Sequence, residues 1–131
     1  MMHAVQPKGW GRPKGYSNGI VASGKMVFVA GQIGWDENEK FVSTDLAEQV
    51  RQALKNIIAV LEAAGAGPEH IVRMTWYLVD KNDYNAKLKE IGGAYRDLIG
   101  RNFPVMTAVQ VAALVESEAK VEIEVTAVLP E

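Results

Sequence analysis

The amino-acid sequence predicts an α+β fold, one mixed β-sheet with two helices packed on one face. Two helix-length stretches carry apolar residues at spacings of three and four, and strand-length runs separate and follow them. That order is strand (one or two), helix, strand, helix and a closing pair of strands, which fits a mixed sheet covered on one side. No linker, repeat or break in composition interrupts the chain, so a single domain is expected over residues 1–131.

The first strand is read at 26–30, an apolar run ending in Gly31-Gln32. A turn-rich stretch from Gly34 to Lys40 follows, with Asp36, Asn38 and Glu39 at its tip. Asp45 opens the first helix as its N-cap, and Glu48 stands where it completes a capping box. Leu46, Val50, Ala53, Leu54, Ile57, Ile58 and Leu61 form one apolar stripe, and Gly65-Ala66-Gly67-Pro68 ends the helix.

Residues 71–79 alternate, with Val72, Met74, Trp76 and Leu78 on one side and Arg73, Thr75 and Tyr77 on the other. Asp80 to Asp83 supply turn and cap chemistry for a second helix. Its stripe runs through Tyr84, Leu88, Ile91, Tyr95, Leu98 and Ile99 and closes at Gly100. Gly92-Gly93 in its middle costs about 1 kcal/mol per glycine against alanine, which implies close backbone approach to a sheet or a neighbouring chain. Strands at 105–112 and 121–127 complete the order. In the last, Val121, Ile123, Val125 and Ala127 face one way, and Glu122, Glu124 and Thr126 the other. Trp76, Met74, Phe28 and the valines overfill one sheet face, so a subunit interface is the expected sink for the surplus.

Composition narrows the function classes. A hydrophobic share of 48% with 23% charged residues is that of a globular chain. No apolar run approaches the roughly 20 residues of a membrane span, and the first residues lack a secretory leader's apolar core. A cytoplasmic protein without membrane contact is expected. The absence of cysteine removes disulfides and thiol chemistry. A net charge of −2 without a basic stripe makes nucleic acid an unlikely partner.

His3 and His70 have no second ligand at helical spacing, so no metal site is expected. The glycines at 9, 11 and 15 precede no helix, which excludes a phosphate-binding loop. What remains is a carboxylate that activates water. Glu122 and Glu124 share one strand face, and either is an ordinary solvated residue unless an interface cleft partly desolvates it and raises its pKa toward a general base or acid. Tyr16 lies in the loop Lys14-Gly15-Tyr16-Ser17-Asn18-Gly19, and Trp10 and Trp35 lie in glycine-flanked loops suited to pocket walls or an interface.

Several segments together resemble the Rid (reactive intermediate deaminase, YjgF-like) family over nearly the whole chain. They are Gly15-Tyr16-Ser17-Asn18-Gly19, Val29-Ala30-Gly31-Gln32-Ile33, the helix from Gln49 to Asn56, Glu62-Ala63-Ala64-Gly65, Asn82-Asp83-Tyr84, Phe103-Pro104 and the last strand from Val121 to Val128. The resemblance implies a chorismate-mutase-like fold, a homotrimer with clefts between subunits, and cofactor-free hydrolysis of 2-imino or enamine acids to 2-oxo acids and ammonia. It also implies roles: Glu122 places the attacking water, with Tyr16, Gly31 and the Ala108 backbone around the substrate.

Two positions depart from the family pattern. Met106 stands where an arginine clamps the substrate carboxylate, and Gly92 where the second helix often carries an asparagine. Losing such a guanidinium removes roughly 2–5 kcal/mol of binding, and methionine offers only a soft apolar wall. Arg12 is the preferred replacement charge because it shares the loop with Tyr16; Lys14, Arg73 and Arg101 are the others. A larger, flatter substrate such as an aminomuconate-like enamine, held by Met106 and Trp35, is the other expectation. Competing readings are a non-catalytic, ligand-binding or regulatory module and a ribonuclease, the latter disfavoured by the acidic charge balance.

Overall fold

The computed structural model describes residues 2–131. Strands β1 (Met2–Val5) and β2 (Gly19–Ala22) form an antiparallel hairpin of their own, in which His3 pairs with Val21. The main sheet contains β3 (Lys25–Gln32), β4 (Ile71–Leu78), β5 (Val105–Gln110) and β6 (Val121–Leu129) in the order β3-β6-β4-β5. The last two strands are therefore not neighbours. β6 inserts antiparallel between β3 and β4, and β5 runs parallel to β4 at the edge. This mixed α+β arrangement is the predicted fold class. No helix among the described residues is long and apolar enough to cross a membrane.

Helix α1 (Leu46–Ala63) starts as expected, with the Asp45 carboxylate accepting the Glu48 N–H at 3.1 Å. The reciprocal half of the capping box is replaced, because the Asp45 N–H donates to Ser43 Oγ at 2.9 Å. The second helical region divides into α2 (Lys81–Ala86) and α3 (Leu88–Leu98). Lys87 makes the break: its φ/ψ of −114°/19° leave the helix, and its ammonium lies 3.0 Å from both Asp45 and Asp83. That fixes the second helical region to the start of α1. At the other end, Gly100 adopts φ 73°, where a side chain would be strained, and terminates α3.

The hydrogen bond from Lys87 holds the Asp45 carboxyl below its ordinary value of 3.8, and the two aspartates hold the Lys87 ammonium above 10.5. A depressed carboxyl contributes stability that is complete above its unfolded value and lost as pH falls through its folded one. The raised ammonium contributes below its unfolded value and loses that as pH rises through its folded one. Thermal melts of the parent and Lys87→Met are thus expected to differ at pH 7, with the gap closing as pH drops well below 3.8.

The core lies between the sheet and the helices. Leu46, Val50, Leu54, Ile57 and Leu61 of α1 meet Met74, Trp76, Val121, Ile123 and Val125, and α3 adds Ile91 and Tyr95. A bulge between Ile71 and Arg73 turns Ile71 inward and leaves Val72 half-exposed. Among the described residues, one polar side chain is fully enclosed. Gln49, 1% exposed, donates to the Ser43 and Glu118 carbonyls at 3.0 Å each and accepts the Lys120 N–H at 2.8 Å. It ties the 111–120 loop to α1. Gln49→Leu removes the partner of three partly buried backbone groups and is expected to cost roughly 1–3 kcal/mol in urea unfolding.

The opposite face of the sheet is bare. Phe28 is 72% exposed and Met26 59%, while Met74 and Trp76 point to the helices. Gly92-Gly93 meets no strand: a Cβ at either position would find only the Arg96 guanidinium, with Nη1 3.5 Å from that of residue 92. The expected close approach of a sheet is absent, and a side chain of the same helix fills the space.

Candidate functional site

Glu122 lies on the bare face of β6, half-buried and paired across the sheet with Tyr77 of β4. Its carboxylate rests directly over Gly31. A Cβ at residue 31 would stand 2.7 Å from the Glu122 Cδ and 2.8 Å from its Cγ, closer than any real side chain permits. The β3–β6 register shifts between Val29 and Gln32, so the strand bulges where the carboxylate sits. Two of the expected site residues, Glu122 and Gly31, therefore form one unit. Beside them the Tyr77 hydroxyl donates to Glu124 at 2.6 Å. That bond, with partial desolvation and the two nearby carboxylates, raises the Tyr77 phenol above its usual value.

Tyr16 and Met106 form a second unit. The Ser17 N–H donates to the Pro104 carbonyl at 3.1 Å and the Ser17 hydroxyl to the Phe103 carbonyl, which lays the tyrosine loop along the start of β5. Between this loop and α3 opens a groove of about 440 Å³. Trp76, Tyr84, Tyr95 and Phe103 line it together with Tyr16 and Met106. The Trp76 and Tyr84 rings meet edge to face at 6.2 Å. Tyr95 donates to the Asn102 carbonyl at 2.6 Å, and burial pushes its phenol well above the usual range, so it stays protonated.

The two units are apart within one subunit. Glu122 pairs with Tyr77, two strands and four residues from the Val105 end where Tyr16 lies. Standard strand spacings make that roughly 16 Å.

The remaining candidates are scattered. The Trp35 ring meets Phe41 at a 57° tilt with centroids 5.8 Å apart in the 34–42 turn, where its carbonyl accepts from Asn56, and it lies outside the Met106 groove. Ala108 is exposed along β5, paired with Trp76. Arg12 is exposed and lines neither the Met106 groove nor the cavity beside it within its own subunit. Arg101 borders the β1–β2 hairpin instead. The cations that do flank Met106 are Lys14 and Arg96 in the groove and Arg73 in the adjoining cavity. Arg96 escaped the sequence reading, although its i+4 spacing from a helical glycine was a usable signal. His70 closes a turn by accepting the Gly67 N–H at 2.9 Å.

Comparison with known proteins places this geometry. The family model described as Endoribonuclease L-PSP matches residues 11–129. The human protein named 2-iminobutanoate/2-iminopropanoate deaminase is 36% identical over 114 residues, covering 86% of this chain and 79% of its own. A Rid-family protein of unknown function from Yersinia pestis superposes with a TM-score of 0.86 at 32% identity, covering 98% of each chain. Escherichia coli TdcF, solved with bound serine, superposes at 0.70 with 34% identity over 91% of each chain. On that match across nearly its full length, this chain belongs to the Endoribonuclease L-PSP family, also called the Rid or YjgF family.

Proposed function

We propose that the protein is a homotrimeric, cofactor-independent deaminase of 2-imino or enamine acids, working in clefts between subunits. The observation that carries this reading is the Glu122 carboxylate, seated over Gly31 on a sheet face whose phenylalanine and methionine stand in solvent. An apolar face of this kind calls for a partner copy. The partner's tyrosine loop would then meet Glu122, joining two units that are separate in one subunit. The deaminase name of the human relative and the amino acid bound by TdcF support an amino-acid-shaped substrate.

The chemistry needs only water and a carboxylate. Glu122 takes a proton from water as the oxygen adds to C2 of the imine. It returns that proton to the nitrogen, giving a carbinolamine; the hydroxyl proton then passes through the same carboxylate to the amine as the C–N bond breaks, releasing ammonia and leaving the 2-oxo acid. Each turnover consumes one water and moves no electrons. Imino acids generated in place by an amino-acid oxidase, with ammonia and 2-oxo acid followed together, test the proposal. Equal release of both above the uncatalysed rate is expected. Release at the uncatalysed rate for every substrate, alongside measurable binding, would instead favour the non-catalytic ligand-binding reading that Met106 suggests.

A further inference from the structure

We propose that Arg96 takes over the carboxylate clamp that Met106 has vacated, and that the groove beneath it selects 2-imino acids with large apolar or aromatic side chains. This deepens the deaminase reading and rests on it for the reaction, though not for the binding. The guanidinium reaches one turn back along α3 and lies across Gly92, with Nη1 3.5 Å from where a Cβ would begin. Any longer side chain at 92 would contest that position.

Charge and shape agree with this role. Among the described residues Arg96 makes no ion pair, while its neighbour Asp97 is engaged by Arg51 at 3.1 Å. The groove carries two cations, Arg96 and Lys14, and no acidic side chain lines it. Its body is aromatic, and about 440 Å³ lies in the range that holds ligands far larger than a three-carbon acid. A forked guanidinium above an aromatic floor matches a molecule with a carboxylate at one end and a ring at the other.

Trp76 adds an indole to the aromatic wall of this groove.

The test is binding, so that it stands whether or not turnover occurs. Phenylpyruvate and pyruvate, the 2-oxo products of an aromatic and a small substrate, are titrated calorimetrically and by tryptophan fluorescence. The proteins are the parent, Arg96→Ala, Arg96→Lys and Arg73→Ala. The parent is expected to bind phenylpyruvate at least tenfold more tightly than pyruvate. Arg96→Ala should weaken phenylpyruvate roughly 10- to 100-fold, the scale of a charge-assisted pair. Arg96→Lys should recover part of it and Arg73→Ala none of the loss. Arg96 is exposed, so melting temperature should hold throughout. Equal affinity for the two acids, or loss on Arg73→Ala with Arg96→Ala unchanged, overturns the proposal. Retained, Arg96-dependent binding with no ammonia release would sink the deaminase reading while leaving the clamp in place.

Discussion

Under the proposed deaminase reading, Glu122→Gln is expected to lower ammonia release from the best imino acid by roughly 10²–10⁴-fold, the usual contribution of a positioned acid–base group. The amide keeps the shape of the side chain over Gly31 and removes only its capacity to take a proton from water. KM should change much less than kcat, because the residue acts on the water and not on the substrate's carboxylate. Glu122 is half-buried on the bare face and contributes nothing to the apolar core, so urea midpoints of parent and variant should coincide. A kcat within a factor of about three of the parent would show that the water is activated elsewhere.

Phe28→Glu should have an equally large effect by another route. Phe28 is 72% exposed in the single subunit, so the substitution costs the isolated fold little. In an assembly that covers this face, a carboxylate would be desolvated among apolar neighbours without a counter-charge, a penalty of several kcal/mol. Sedimentation is expected to show the 14.3 kDa monomer in place of the proposed trimer, with helical circular dichroism retained and the proposed deaminase activity lost. An unchanged trimer would remove that face from the interface.

The elements with strong periodicity were legible in the sequence, and those fixed by tertiary contacts were not. The α1 stripe and the alternation of Val121 to Ala127 named their own buried faces, because each pattern repeats over at least three periods. The β1–β2 hairpin gave no such signal, since every residue of β1 is exposed. The division at Lys87 was hidden for another reason. The apolar stripe continues through it, and the break depends on two carboxylates brought together by the fold. The position of β6 between β3 and β4 is likewise a long-range choice that local pattern does not encode.

The site was legible in the same uneven way. Glu122 and Gly31 were named from the strand face and the family resemblance, and they meet as a pair because the bulge at residue 30 and the missing Cβ make room. Tyr16 and Met106 were named and do share a groove. Nearness in sequence and nearness in space part company for the candidate charges: Arg12 is four residues from Tyr16 yet outside the groove of its own subunit, whereas Arg96 is eighty residues away and inside it. Trp35 lies in its own turn against Phe41, with its carbonyl bonded by Asn56.

The central idea is that one subunit's carboxylate works on a substrate held by the next subunit's tyrosine loop. Mixed trimers of two inactive variants examine it most directly. Glu122→Gln lacks the base, and Tyr16→Asp places a repelling charge at the groove, each without touching the other unit. Co-refolded in equal amounts, they leave each component intact in half the subunits, so about a quarter of shared clefts are whole. Recovery of about a quarter of the parental deaminase rate is the predicted result. A mixture as inactive as either variant alone, in assemblies shown to have exchanged subunits, would contradict it.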